Sequence, residues 1–521
     1  MSPEPNPETE SKSLPTALSP GELARWFWRQ ITSMKTALIL LFLLALGSIP
    51  GSVIPQAQVD SQRTLQWQDQ HPRLTPIYEK LGLFNVYGSV WFAAIYILLM
   101  ISLVGCILPR LGVYLRALRS RPPRAPRNLL RMPQSREFQT ELGLGEIADQ
   151  LRKRRYRVDV HDDSVAAERG YLREAGNLLF HLSILIVLVG FAIGSLWGYR
   201  GGVIVVTGEG FANTLSQYDD FQGGRMFAPN SLEPISFTVD DFAVEFITRG
   251  RQAGTAEKFR ARLTYRTSPQ EAARERTISV NHPLNINGTN VFLIGHGYAP
   301  NITVRDADGS IAFSGPVVFL PEDPTFRSFG VVKVPDASNP AGTQIGLEGE
   351  LYPTYGFSQE TGPFSAYPDA KAPLISMVLW TGDLGLDSGR PQSVYALDKT
   401  HLEKVMKSEK AQFRLDLPLG ATRELPDGLG TVTFESVDRF VKLQVSKTPE
   451  QWVSLVGMIL ALLGLLASLF IRPRRIWVRL RQTETGNLAQ IAGLDRSSGG
   501  NLSAELDDLV AALSQQQGDR A

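Results

Sequence analysis

The sequence predicts a membrane protein with four transmembrane α-helices and a large extracytoplasmic β-rich domain of the sandwich or jelly-roll type. Among its 521 residues, 43% are hydrophobic and 20% are charged, as in a soluble protein, but the apolar residues are segregated. Four runs contain no Asp, Glu, Lys or Arg, and each meets the roughly 20 residues that a helix needs to cross a hydrocarbon core of about 30 Å. These runs are residues 36–54, 87–108, 176–198 and 452–471. This segregation excludes a soluble enzyme.

The N-terminal region predicts a disordered tail followed by a helix on the membrane surface. Residues 1–20 are rich in Pro, Ser and Glu, which is typical of disorder. Residues 20–35 are amphipathic, with Trp26, Phe27 and Trp28 beside basic residues, as in helices that lie at the headgroup boundary. The first apolar run lacks an Ala-x-Ala cleavage pattern, so we expect a retained anchor rather than a signal peptide.

The loop at residues 55–86, between the first two spans, predicts a second interfacial helix. Its apolar side chains recur at helical spacing, which is the main sequence signal of an amphipathic helix. These side chains belong to Trp67, Leu74, Ile77, Tyr78 and Leu81.

The distribution of arginine predicts the orientation of the chain. Arginines follow the second span at positions 110, 116, 119, 121, 124, 127 and 131, and the fourth at 472, 474, 475, 479 and 481. Short segments rich in Arg and Lys stay in the cytoplasm. We therefore expect both termini and residues 109–175 to be cytoplasmic, with residues 55–86 and 199–451 outside. The net charge of +1 argues against a nucleic-acid-binding protein.

The cytoplasmic segments predict one small domain and one tail. Within 109–175, a basic stretch precedes the helix "GEIADQLRKRR" and the strands "YRVDVHD" and "SVAAERG", so we expect a small α/β docking domain. The glycines of "GLGEIA" resemble a nucleotide-binding loop, but no βαβ pattern surrounds them. Residues 472–521 are interpreted as a basic segment and a tail. The helical face with Leu506, Leu509 and Leu513 is interpreted as a weak terminal helix rather than a docking helix.

The outward segment, 199–451, predicts the β-rich domain. Runs such as "GGVIVVT", "ISFTVDDFAVEFI", "NVFLIGH" and "GTVTFESV" alternate with Gly, Pro, Asn and Asp turns. No catalytic triad, metal-spacing motif or phosphate loop is visible in it. The single cysteine, Cys106, lies in the second span, where it is interpreted as a small apolar residue. One cysteine excludes an internal disulfide and a Cys-x-x-Cys pair, so any thiol chemistry belongs to a partner.

One histidine lies inside a predicted span. His181 is eight residues past Arg173, or about 12 Å along a helix, and shares one helical face with Glu174 and Asn177. An ionisable residue in a span is costly, so it is a ligand, a proton-handling group or a helix-packing hydrogen bonder. Haem iron is the ligand partner to test first, because a neutral imidazole is a good axial ligand. The spans offer no second histidine, so a second axial ligand must come from elsewhere.

Four segments together resemble the ResB/CcsB family of System II cytochrome c biogenesis proteins. They are "GSVIPQ", "LGLFNVYGSVWF", "GYLREAGNLLFHLSILIVLVG" and "VNHPLNINGTNVFLIGHGYAP", in this order along the chain. The order of three spans, a large outward domain and a last span is similar too, so the resemblance covers roughly residues 20–480.

The resemblance implies a haem-handling or scaffold subunit of a cytochrome c synthase complex, which exports haem and delivers it for attachment to apocytochrome c. It implies a separate membrane partner of the CcsA/ResC type, which carries a Trp-rich loop and most of the attachment chemistry, so whether this chain is itself an enzyme stays open. A thioredoxin-like reductant is a further expected partner. The resemblance also favours a bacterial cytoplasmic membrane over a thylakoid membrane. Haem b would be bound transiently as cargo, with His181 as axial ligand and Asn177 and Glu174 lining the approach.

Other functions and other histidines are also weighed. A membrane-anchored sensor or assembly scaffold, in which His181 only packs, is the alternative function, and a transporter acting alone is disfavoured by the lack of internal repeats. His71, His282 and His296 are interpreted as structural in preference to haem contacts. His161 and His401 are interpreted as surface residues.

Overall fold

The computed structural model describes residues 19–57, 59, 61–250, 252–338, 343–386, 389, 392–409, 411–483, 486–495 and 501–514. The chain divides into two compact units, one formed by Met1–Ala192 with Glu450–Ala521 and the other by Ile193–Pro449. The expected disorder of residues 1–20 lies, up to residue 18, outside the described residues.

Four described helices are long and apolar enough to cross a membrane. The helices in chain order are α1 (Pro20–Ile31), α2 (Met34–Val53), α3 (Ser61–Gln70), α4 (Thr75–Lys80), α5 (Val90–Arg119), α6 (Leu144–Lys153), α7 (Leu172–Trp197), α8 (Gln451–Phe470) and α9 (Leu502–Ser514). The candidate spans are α2, α5, α7 and α8, so the predicted number of spans is confirmed and the chain is a multi-pass membrane protein.

The strands are antiparallel and belong mostly to the second unit. In chain order they are β1 (Gln134–Thr140), β2 (Arg157–Val160), β3 (Ser164–Arg169), β4 (Tyr199–Val206), β5 (Gly210–Ala212), β6 (Asp220–Gly223), β7 (Ser236–Phe246), β8 (Ala256–Arg266), β9 (Arg274–Ile278), β10 (Leu284–Ile286), β11 (Thr289–Arg305), β12 (Ile311–Pro316), β13 (Leu320–Pro321), β14 (Ser328–Val334), β15 (Gln344–Tyr352), β16 (Tyr355–Ser358), β17 (Gly362–Ser365), β18 (Leu374–Gly382), β19 (Leu402–Lys404), β20 (Met406–Ser408), β21 (Ala411–Gln412), β22 (Arg414–Pro418), β23 (Thr422–Glu424), β24 (Thr431–Lys447), β25 (Arg474–Thr483) and β26 (Gly486–Asp495).

Helices α7 and α8 pack through small residues, which we call the glycine seam: Gly176, Ser183 and Gly190 on α7, and Ser454, Gly457 and Gly464 on α8. All six are buried. A Cβ atom on Gly464 would lie 2.5 Å from the backbone nitrogen of Phe180, and one on Gly457 would lie 2.9 Å from that of Val187. Small residues are favoured between membrane helices because they let the two backbones approach closely.

A five-stranded sheet in the first unit joins residues before α7 to residues after α8. Its strand order is β1-β26-β25-β3-β2. Strand β3 directly precedes α7 and pairs with β25, which directly follows α8, from Arg169 opposite Arg474 to Ser164 opposite Arg479. The predicted helix and two strands of the small α/β domain correspond to α6, β2 and β3, and this domain also contains the C-terminal strands.

The interpretation of residues 472–521 as a basic segment and tail with a weak terminal helix is therefore wrong. Strands β25 and β26 lie inside the sheet, and α9 buries four leucines in the core shared with α6. Arginines in the first part of β25 find partners within the fold. Arg474 pairs with Asp495 at 3.3 Å and with Glu505 of α9, whereas Arg475 pairs with Glu168 at 2.9 Å. The four leucines are Leu502, Leu506, Leu509 and Leu513.

The loop between the first two spans contains two short helices, α3 and α4, instead of one continuous helix. The chain turns at residues 71–74, where Pro72 has no N–H for a helical hydrogen bond. Trp67 of α3 stacks on His71, with ring centroids 4.3 Å apart, and on Tyr78 of α4 at 4.9 Å. The predicted apolar set is thus divided, because Trp67 and Tyr78 pack together whereas Ile77 is exposed.

The second unit confirms the predicted β-rich domain. Strands β11 and β24, of 17 residues each, pair from Thr289 opposite Lys447 to Arg305 opposite Thr431. They lie at the centre of a seven-stranded sheet in the order β10-β11-β24-β4-β6, with β12 on β11 and β23 on β24. One half of this sheet shares a core with β5, β7, β8 and β9, and the other half with β14, β15, β18 and β22. The long sheet therefore takes part in two sandwich-like packings, one along each half of the paired strands β11 and β24.

The glycine seam predicts that Gly464→Leu separates α7 from α8. The added side chain has no space against the Phe180 backbone, and such overpacking costs about 1 to 3 kcal/mol or more. We expect a lower melting temperature of the purified chain and the loss of a disulfide cross-link engineered between the two helices. The matched control is Gly112→Leu in α5, where a Cβ atom meets nothing within 4 Å. Equal melting temperatures of the two variants would contradict the role of the seam.

Candidate functional site

The structure aligns the three predicted site residues on one face of α7. At 3.6 residues per turn, His181 lies about 140° around the helix from Gly176, so Glu174, Asn177 and His181 face away from the glycine seam. We call these three residues the histidine face. Asn177 and His181 are partly exposed and Glu174 is exposed. Within the described residues, the three side chains form no hydrogen bond with one another, so they do not constitute a preformed network.

Helix α5 contacts α7 beyond the histidine face and carries one cation within electrostatic range of His181. The Tyr96 hydroxyl donates a hydrogen bond of 2.9 Å to the Leu188 carbonyl oxygen, two helical turns beyond His181. Near the other end of α5, the Arg110 guanidinium acts electrostatically on the His181 imidazole. The His181 ring also contacts Phe180, with centroids 5.3 Å apart. The imidazole therefore has an aromatic neighbour and a cation nearby, and its remaining surface is open.

Glu174 lines a small polar cavity of 80 Å³ at the start of α7. Two arginines meet a single carboxylate there, because Glu168 accepts from Arg157 at 3.1 Å and from Arg475 at 2.9 Å. The Arg157 guanidinium also lies 4.3 Å from the centre of the Tyr171 ring. The end of the histidine face is thus a charged, solvent-connected pocket, in which Glu174 is an additional carboxylate.

Cys106 has a structural contact, in agreement with its interpretation as a small packing residue. Its Sγ lies 2.7 Å from the Thr32 carbonyl oxygen, and Ser102, one turn earlier, donates to the Ile31 carbonyl oxygen at 2.6 Å. These two bonds attach α5 to the connection between α1 and α2. They also satisfy carbonyl groups that the end of α1 leaves without helical partners.

The other histidines differ widely in their surroundings. His401 is exposed, as expected, whereas the interpretation of His161 as a surface residue is wrong: its side chain is only 16% exposed, and its Nδ1 lies 3.8 Å from Asp159. His71 is held by the Trp67 ring and carbonyl, and exposed His282 lies near Ser279 and the Val280 carbonyl.

His296 is buried in an aromatic cluster on β11. Its ring stacks on Phe326, with centroids 4.6 Å apart, and lies within 5.4 Å of Phe242 and Phe259. The ring also borders a cavity of 670 Å³, which Phe259 and Phe326 of the same cluster line as well. Burial, with a smaller contribution from Arg439, lowers the pKa of His296 to about 4, so the imidazole is neutral at physiological pH.

The buried environment of His296 was not predicted, because strict alternation of buried and exposed residues along β11 would place His296 on the exposed face. Val291 and Leu293 are buried, and strict alternation would bury residue 295 and expose residue 296. A β-bulge between Leu293 and Gly295 inserts one residue and reverses the phase, so His296 turns inward. No periodic sequence signal marks such a bulge. The contacts of Tyr96 and Arg110 were also missed, since they depend on which helices are neighbours.

Comparison with known proteins identifies the family of the chain. A model of the ResB-like family matches residues 34–507, which include all four spans and the β-rich domain. The chain belongs to the ResB-like family. This agrees with the resemblance found in the four sequence segments.

Several curated proteins described as "Cytochrome c biogenesis protein CcsB" are similar to this chain. One from Gloeobacter violaceus is 28% identical over 52% of this chain and 55% of its own length. One from Synechococcus sp. strain WH7803 is 31% identical over 50% of this chain and 58% of its own length. One from Synechococcus sp. strain JA-3-3Ab is 28% identical over 78% of this chain and 81% of its own length. The chain thus spans less than two thirds of the first two relatives.

Acidic pH should destabilise the β-rich domain through His296. The folded imidazole has a pKa of about 4 and the ordinary value is 6.5, so between these values only the unfolded chain takes up the proton. The stabilisation is complete above pH 6.5 and is lost as the pH falls towards 4, by at most about 3 kcal/mol.

We expect His296→Phe to reduce the loss of melting temperature between about pH 7 and about pH 5, measured by the β-sheet circular dichroism signal. His282→Phe is the matched control, since His282 is exposed in the same domain. If acid lowers the melting temperature of all three proteins equally, His296 does not carry this pH dependence.

Proposed function

We propose that this chain is the haem-delivery and scaffold subunit of a System II cytochrome c biogenesis complex. The single observation that carries the proposal is His181, an imidazole inside a transmembrane helix on the face that α8 leaves free. The family membership and the names of the similar proteins support the pathway. In this proposal haem b is cargo, and the attachment chemistry resides mainly on a partner of the CcsA/ResC type.

The surroundings of His181 suit a flat, apolar cargo with an anionic edge. The exposed part of the ring borders apolar helix surface, which matches the body of a porphyrin. Arg110, which acts on the imidazole, supplies a cation that can pair with a propionate. Asn177 and Glu174 extend the face towards the charged pocket at the start of α7, which we assign as the approach to the site.

A partner helix completes the site. His181 supplies one axial ligand, and haem with two imidazole ligands needs a second from another helix. The partly exposed histidine face leaves room for a helix of the membrane partner, whereas α8 occupies the opposite side of α7. We assign apocytochrome c as the recipient outside the membrane, with a thioredoxin-like protein as its reductant.

An assembly scaffold without haem ligation is the alternative. In that function His181 is a packing residue, and its partner would be a helix rather than a porphyrin. A purified complex with its partner would then be colourless, whereas the haem-delivery function requires a red complex with a low-spin haem spectrum. The exposure of His181 favours the first proposal, because no described group satisfies its ring nitrogens.

His181→Ala should reduce haem bound by the purified complex and the amount of mature cytochrome c by about tenfold or more, while the chain stays inserted and bound to its partner. Haem spectra and haem staining measure the two effects. Added imidazole should partly restore maturation by occupying the vacated coordination position. His401→Ala, which changes an exposed histidine, is the control. Full haem content and full maturation in the His181 variant would assign the residue to packing.

The arginine asymmetry supports placing the β-rich domain outside the bacterial cytoplasmic membrane. In a Cys106→Ala background, Arg249→Cys should react with a membrane-impermeant maleimide in intact cells, whereas Arg124→Cys should react only after the cells are opened. Both positions are exposed arginines and therefore form a matched pair. Labelling of position 124 in intact cells would reverse the orientation.

A further inference from the structure

The β-rich domain contains a cavity that the proposed function does not use. Its volume of 670 Å³ lies within the range of about 300 to 1,000 Å³ typical of small-molecule sites. The cavity lies along β11, next to the bulge at Leu293 and Gly295, and both of these residues line it. Its walls are mainly apolar and aromatic: Phe246, Phe259, Phe326, Tyr367 and Pro368 contribute to them together with His296.

The polar group of interest in the cavity is the imidazole of His296. The residue is 8% exposed, and its Nδ1 is buried without a hydrogen-bond partner. An unpaired buried polar atom costs about 1 to 3 kcal/mol, and a hydrophobic side chain would fill this position at no such cost. Within the described residues, no protein group hydrogen-bonds to either ring nitrogen. Because the buried Nδ1 has no accessible surface, the nitrogen of this neutral imidazole that is available to a metal in the cavity is Nε2.

The ring is held in position by rigid neighbours. The ring stacks on Phe326, whose backbone φ is 58°. The turn before Phe326 is stabilised by Asp323, whose carboxylate accepts a hydrogen bond of 2.8 Å from the Thr325 N–H. The carbonyl oxygen of Pro368, another lining residue, accepts a hydrogen bond of 2.7 Å from the Tyr298 hydroxyl. The walls of the cavity are therefore fixed by contacts that do not involve the ligand.

A cation lies beside one residue of the cavity wall, Tyr367, although it is not itself part of the lining. The Lys371 ammonium lies 4.0 Å from the centre of the Tyr367 ring, and within the described residues it forms no ion pair with a carboxylate. It can therefore pair with an anionic group that extends out of the cavity past Tyr367. Arg439, the other cation near this wall, is already paired with Asp369 at 2.7 Å.

We propose that this cavity is a second haem site, in the β-rich domain, with His296 as an axial ligand to the iron and Lys371 paired to a propionate. The ligand class follows from three features together: an aromatic cavity for a flat apolar ring, an unpaired imidazole for a metal, and a free cation for an anionic edge. A purely apolar ligand would use only the first feature. The proposal rests on the proposed function, because it takes haem as the cargo of the chain.

The test uses the full chain in detergent, titrated with ferric haem. In a His181→Ala background, which lacks the proposed transmembrane ligand, we expect saturable binding with a shifted Soret band. Adding His296→Phe should weaken this binding by about tenfold or more, because phenylalanine preserves the stacking and removes the ligand atom. His282→Phe in the same background is the matched control and should bind as the background does.

A second variant keeps His296 and removes the space. Ala256→Trp places an indole at the lining of the cavity and should also weaken haem binding by about tenfold. The Ala256→Trp variant provides the deciding measurement if His296→Phe unfolds the domain, because the haem titration of an unfolded His296→Phe protein does not report on the cavity. Binding equal to the background in a folded His296→Phe protein, or in Ala256→Trp when the first variant is unfolded, overturns the proposal.

The outcomes separate this site from the transmembrane site. If His181→Ala alone abolishes all saturable binding, the site at His296 is overturned while the proposed function stands. If His181→Ala leaves haem binding and cytochrome c maturation unchanged and His296→Phe abolishes the binding, the site at His296 stands and the transmembrane assignment fails.

Discussion

The close contact of α7 with α8 is the interaction on which the rest of this structure depends. In lipid there is little hydrophobic drive between helices, so van der Waals packing of backbones must hold the pair, and glycine permits it. The chain connections make this contact central. The strands next to the two helices pair as well: β3 with β25 in the first unit, and β4 with β24 in the second. The antiparallel helices α7 and α8 thus carry, at each end of the pair, strands that pair with each other.

The packing of α7 against α8 also determines which surface of α7 is free to contact other molecules. A helix packed through one face has the opposite face free, and the polar residues of α7 lie on that side. Tyr96 of α5 touches only the far part of this surface, at Leu188, so the imidazole keeps part of its exposure. The separation of about 140° between Gly176 and His181 lets α7 pack against α8 with one face and, in the proposed function, bind haem with another.

Sequence patterns predicted the features that depend on local composition. The four spans follow from uncharged runs, the β-rich domain from short β-branched segments, and the histidine face from helical spacing alone. The C-terminal strands were missed because β25 is rich in arginine, and only the fold reveals carboxylates such as Asp495 and Glu168 as its partners. The cavity at His296 was missed because a one-residue bulge reverses alternation. Pairing across a long sequence distance and a phase change within a strand have no local signature.

The five-stranded sheet has a consequence for biosynthesis. Glu168 and Arg475, which pair across β3 and β25, are separated by 307 residues, so the central ladder of this sheet cannot close until almost the whole chain has left the ribosome. At about 5 to 20 residues per second, β3 waits roughly 15 to 60 s for its partner. During that interval its edge is unpaired and open to chaperones or proteases. Closure of this sheet is therefore a late event in synthesis, and a chain interrupted before β25 is left with an incomplete sheet.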